Sequence, residues 1–151
     1  MEIAVISALV SAGWREGRVF DESKWVQFLE SQEFIINGEA RRLWREYGGL
    51  HIKSDSSREP SSSLKVDPID SSSAVPDDAI SLERIYGENY SPIGFWSNQF
   101  PAYIAASGRV VAIGPVTDWE LGESFESALS FIVIGGRPNR QIGPRKTPRR
   151  R

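Results

Sequence analysis

Histidine occurs once, at position 51, and cysteine does not occur. A Ser-His-Asp relay needs a histidine between a nucleophile and a carboxylate, and His51 lies in a strand-like stretch with no such partners spaced around it. One histidine is also too few for a multi-histidine metal site. The absence of cysteine removes thiolate nucleophiles, Cys-based zinc sites and disulfides together, which fits a reducing compartment. Carboxylates are the reactive groups that remain. Asp67 with Asp70, or Asp77 with Asp78, could pair as acid and base in a hydrolase, but both pairs stand beside proline or serine, where Asp serves as a turn or cap residue. Gly48-Gly49 and Gly135-Gly136 follow predicted helices instead of preceding them, so they read as helix stops and not as phosphate loops. The expectation is therefore a protein without catalytic residues, cofactor or metal.

Charge gives a different lead. The formal net charge of −2 hides an asymmetry: residues 137–151 carry seven Arg and Lys and no acid, which leaves eleven basic residues against twenty acids in residues 1–136. A tail of +7 on a body of −9 has two readings. The tail could bind a phosphate backbone and make the chain a nucleic-acid-binding or regulatory module. It has no aromatic residue for base stacking, however, and the body would repel the same polyanion. The body instead suits a basic protein partner, with the acids Asp67, Asp70, Asp77, Asp78, Glu83 and Glu88 as contact candidates. Of the five tryptophans, Trp25 and Trp44 lie on helical stripes and read as core. Trp14, Trp96 and Trp119 lie outside such stripes, where core and partner contact both fit; Trp96 joins the contact candidates.

The elements that would position these residues follow from spacing and capping. Ile3, Ile6, Leu9 and Val10 recur at helical spacing, with Gly13 placed as a left-handed C-cap. Asp21 is the expected N-cap of a second helix running to about Gln32, with Trp25, Phe28 and Leu29 on its apolar face. Asn37 caps a third, carrying Ala40, Leu43, Trp44 and Tyr47 and ending at Gly48-Gly49. Leu50 to Lys53 alternates as a strand, Ser54 to Ser63 reads as a mobile loop, and Leu64 to Asp67 is a short strand. Pro76 opens a fourth helix with Asp77 and Asp78 near its positive end, stopped by Gly87. Ala102–Ala106 and Arg109–Ile113 flank a Ser107-Gly108 turn, and Val116–Trp119 extends the meander. Ser124 precedes a last helix from Phe125 to Val133.

Helices at both ends around an antiparallel meander predict an α+β fold, as one domain over residues 1–136 followed by a basic, disordered tail over 137–151. The length suits a single core. The apolar stretch Ile3–Val10 is short and follows Glu2, so it reads as a helix and not a targeting signal, and no window nears the roughly 18–20 apolar residues of a membrane span. A soluble, cytoplasmic protein is expected.

Several short pieces follow one another along the chain: Ala12-Gly13-Trp14, Gly17-Arg18, Asp21, Trp25, Leu29, Phe34 and Tyr47-Gly48-Gly49-Leu50, then Asp67-Pro68, Tyr90-Ser91-Pro92-Ile93-Gly94 and Gly108-Arg109-Val110, and last Gly122, Ser124-Phe125, Ala128-Leu129 and Gly135. In their order and spacing the chain resembles the third subfamily of the SUKH superfamily, immunity proteins of bacterial polymorphic and contact-dependent toxin systems. Glu33 departs from it, standing where the family usually has glycine before the aromatic, and Val19-Phe20 sits differently between Arg18 and Asp21. The resemblance implies a central twisted, mostly antiparallel sheet flanked by helices. It further implies no catalytic residues, and inhibition of a cognate toxin, in many cases a nuclease, by direct binding.

Overall fold

The computed structural model describes residues 1–69, 75–135 and 140–144. In chain order the elements are α1 (Ile3–Ala12), α2 (Ser23–Ser31), α3 (Gly38–Tyr47), β1 (His51–Lys53), β2 (Ser63–Lys65), α4 (Pro76–Tyr86), β3 (Tyr90–Trp96), β4 (Phe100–Ala105), β5 (Val110–Ile113), β6 (Thr117–Gly122), α5 (Phe125–Val133) and β7 (Arg140–Pro144). The seven strands form one sheet in sequence order, every neighbouring pair antiparallel. Short connections link β3 through β6, while α4 intervenes between β2 and β3 and α5 between β6 and β7. The α+β expectation holds.

Alternation along β3 separates the two faces of the sheet. Ser91 turns towards the entry of α3, where its Oγ donates to the Ile35 carbonyl at 3.0 Å and accepts from the Asn37 amide at 2.9 Å. Its neighbour Tyr90 turns the other way and meets Tyr86 of α4, with ring centroids 6.2 Å apart. On the first face, Ile52, Leu64 and Trp96 follow one another across β1, β2 and β3, and Trp96 meets Phe131 of α5 at 6.3 Å. α1 packs beside them on β1 and α5. Trp44, fully buried, receives the edge of Trp25 at 5.8 Å. That face is the helix-rich one and holds most of the core.

Capping follows the sequence closely. Asn37 accepts from the Ala40 amide at 2.9 Å, and Ser124 from Ser127 at 3.1 Å. Pro76 occupies the first turn of α4, and Gly13 and Gly87 close α1 and α4 in the left-handed conformation. Asp21 acts one position earlier than expected: its carboxylate accepts from the Ser23 amide at 3.0 Å, and Glu22 is the N-cap. The segment 54–62 carries no strand, yet Arg58 fastens it, donating from Nε to the Phe131 carbonyl at 3.1 Å with its guanidinium 4.9 Å from the Phe131 ring.

Three features go beyond or against the expectations. The apolar residues of α1 divide between two sides of the helix. Val5 and Leu9 are buried, while Ile3, Ile6 and Val10 are 86%, 40% and 55% exposed. Strand β3 is unanticipated because Pro92 and Gly94 interrupt its pattern. The register shifts between them, and Gly94 lies at φ +144 so close to β2 that a Cβ would stand 1.8 Å from the Lys65 carbonyl oxygen. A bulge with glycine at the close approach accommodates both residues in a strand. Finally, Arg140–Pro144 forms β7 on β6 within the stretch expected to be tail; backbone pairing to an open edge needs no apolar periodicity.

The two departures from the family pattern have local accounts. Phe20 lies flat on Gly48, where a Cβ would come within 2.5 Å of its ring, and its amide donates to the Arg45 carbonyl at 2.7 Å. Glu33 adopts φ +72, the left-handed conformation in which glycine carries no steric penalty.

Candidate protein-binding face

The second face of the sheet carries α4, the element richest in the predicted contact residues. At 100° per residue, Asp77, Ile80, Glu83 and Arg84 share the outer side of this helix, opposite the buried Asp78 and Leu82. Asp77 and Glu83 are exposed, and Ile80 and Ile85 are each 50% exposed. Acids in the first turn and Arg84 in the last complement the helix dipole.

Beneath α4 lies a polar layer. Tyr103 donates to the Val75 carbonyl at 3.4 Å, and its cross-strand partners continue through Val111 to Glu120 on β6. Arg109 bridges this layer, with Nε 3.3 Å from the buried Glu120 carboxylate and its guanidinium 5.8 Å from the Tyr86 ring. Burial pushes the Tyr90 phenol up to about 12, with Arg109 pulling the other way. Asp118, paired in register with Ile113, is fully buried on the same face.

The seven predicted contact residues separate under this geometry. Asp77 and Glu83 stand together on the surface of α4. Asp67 is half-buried and accepts from the Ile69 amide at 3.1 Å, a turn role. Glu88, also half-buried, closes the β4–β5 hairpin by accepting from Ser107 N and Oγ, both at 3.0 Å. Asp78 is 2% exposed and Trp96 8%, so neither presents a contact surface in this structure. Trp96 also faces the opposite layer and donates to Ser62 Oγ at 2.9 Å. Asp70 lies outside the described residues. Sequence reasoning did not select Ile80 and Ile85, whose exposure follows only from the side of α4 that β3 covers.

Among the described residues no three His, Cys, Asp or Glu side chains gather as metal ligands. His51 lines an open depression with Asp55 and Ser61–Ser63, but its Nε2 has no hydrogen-bond partner among the described residues, and Asp55 is held by the Ser57 amide at 3.1 Å. No described helix is long and apolar enough to cross a membrane.

A family model described as SUKH-3 immunity protein matches residues 1–135. No curated protein and no solved structure matches the chain. The match spans all five described helices and six of the seven strands, from α1 through α5, and the chain therefore belongs to the SUKH-3 immunity protein family.

Proposed function

We propose that this protein neutralises a cognate toxin by binding it directly, and that the toxin presents a basic surface of the kind a nuclease turns towards nucleic acid. The family match over residues 1–135 carries the reading. The charge of the domain supports it, since residues 1–136 hold twenty acids against eleven bases. A body of that sign is steered onto a positive surface and competes there with a polyanionic substrate. Asp77 and Glu83, exposed on α4, form the acidic centre of the contact region. The protein works in the cytoplasm, where such a toxin would act on its own producer.

Co-expression with the toxin encoded beside it tests the proposal. Protection of the cells together with a complex that survives size-exclusion chromatography is the expected result. Undiminished killing with no complex rejects it.

A further inference from the structure

α1 is apolar on both sides. Val5 and Leu9 pack inward, while Ile3, Ile6 and Val10, at positions within about 60° of one another on the helical wheel, line the outer side. The ten residues Ile3–Ala12 include no charge, in a chain of which 25% of residues are charged. A helix at the surface of a soluble domain ordinarily turns charged and polar residues outward, and a contiguous exposed apolar stripe marks a contact surface.

We propose that this stripe is a homodimer interface in which α1 of one protomer packs antiparallel against α1 of its partner. Charge selects the occupant. The outer side of α1 offers no acid to a basic protein, and the acids of α4 lie on the opposite face of the sheet. The two ends of α1 are instead complementary to each other. At its start stand the exposed Glu2 and Glu126, the latter 3.7 Å from the terminal amine. Beyond its end stands the exposed Arg15. A two-fold axis passing between Ile6 and Ser7 sets Ile3 opposite Val10 of the partner and brings Arg15 towards the partner's acidic end, as an isologous interface requires. The helix dipoles also align favourably in this arrangement. So narrow a stripe gives a weak, reversible dimer. α4 stays outside the interface, so each protomer keeps its acidic face free.

Sedimentation equilibrium of the full chain at about 100 µM tests the arrangement. The wild type should contain dimer. Ile3→Lys and Val10→Glu should each weaken it by more than about tenfold, with far-UV circular dichroism unchanged and melting lowered only slightly, because both side chains are exposed and only the helix dipole opposes the new charges. The double variant Ile3→Lys/Val10→Glu should regain dimer, since each lysine then faces a glutamate of the partner. A monomeric wild type, single variants that dimerise as well as the wild type, or a double variant no better than either single one would overturn the proposal. None of these readouts depends on a toxin, so they stand apart from the test of neutralisation.

Discussion

The two faces of the sheet are built on different principles. The helix-rich face closes mainly apolar side chains against one another: Phe131 meets Trp96 at 6.3 Å and Trp25 meets Trp44 at 5.8 Å, with Glu22, paired to Arg45, the acid buried on this side. The α4 face buries acids: Asp78, Asp118 and Glu120 are each at most 5% exposed, with Arg109 bridging Glu120 to Tyr86. Apolar burial is non-directional and scales with area. Buried charge contributes less net stability, because desolvation opposes the Coulomb attraction. The first face is thus the main source of stability. The second, whose outermost residues are Asp77 and Glu83, can carry charge because stability depends on it less.

Truncation of the apolar face should do the most damage. Trp44→Ala removes a fully buried ring and should cost about 3–5 kcal/mol in chemical denaturation. Trp44→Phe should cost much less, since Nε1 has no hydrogen-bond partner among the described residues. On the other face, removing both members of the pair at once, Arg109→Leu with Glu120→Leu, leaves no stranded charge and should change stability by no more than about 1–2 kcal/mol. Equal losses for Trp44→Ala and this double variant would erase the distinction between the faces.

Charge reversal on the surface of α4 separates function from stability. Asp77→Lys with Glu83→Lys should lower stability only modestly, by about 1 kcal/mol, because both side chains are exposed and the loss is that of the Asp77 charge at the positive end of α4. Stopped-flow association with the toxin should slow about tenfold at low salt, and the deficit should shrink as salt screens the pair. Association at the wild-type rate would move the contact surface away from α4.

Much of the fold was legible because its signals are local. Asn37, Ser124 and Pro76 announce helix starts, and Ser107-Gly108 announces a hairpin. What escaped notice depends on tertiary partners. β3 is a strand because the Lys65 carbonyl leaves room only for Gly94, and β7 exists because β6 has an edge to pair with. In α1 the spacing revealed the helix but not its inward side, because a helix apolar all round gives no signal of which side packs. The candidate contact residues were legible in charge but not in exposure: Asp77 and Asp78 are adjacent, yet one is exposed and the other buried. Glu33 shows the opposite case, a departure in sequence that does have a backbone signature. At φ +72 a glutamate is strained, so Glu33→Gly should raise stability by about 0.5–1 kcal/mol. The gain should be smaller than the Trp44→Ala loss, since Glu33 belongs to neither face; a loss in denaturant midpoint would mean that its side chain makes a contact outweighing the strain.

The smallest effect concerns pH and the edge of the α4 face. His51 stands directly opposite Lys65 in the β1–β2 register and two residues from Lys53. Burial first, then these two lysines, hold its imidazole below the ordinary value of 6.5. The unfolded chain therefore takes up a proton near pH 6.5 that the folded chain accepts only at lower pH, so between those points the unfolded state binds more protons and stability rises with pH. This contribution is complete above about 6.5 and is lost as the pH falls through the folded value. Melting temperatures of the wild type and of His51→Gln at about pH 7.5 and pH 5.5 read it directly. The wild type should lose more on acidification than the variant. An identical drop in both would remove His51, and with it the β1–β2 edge, as the source of the acid sensitivity.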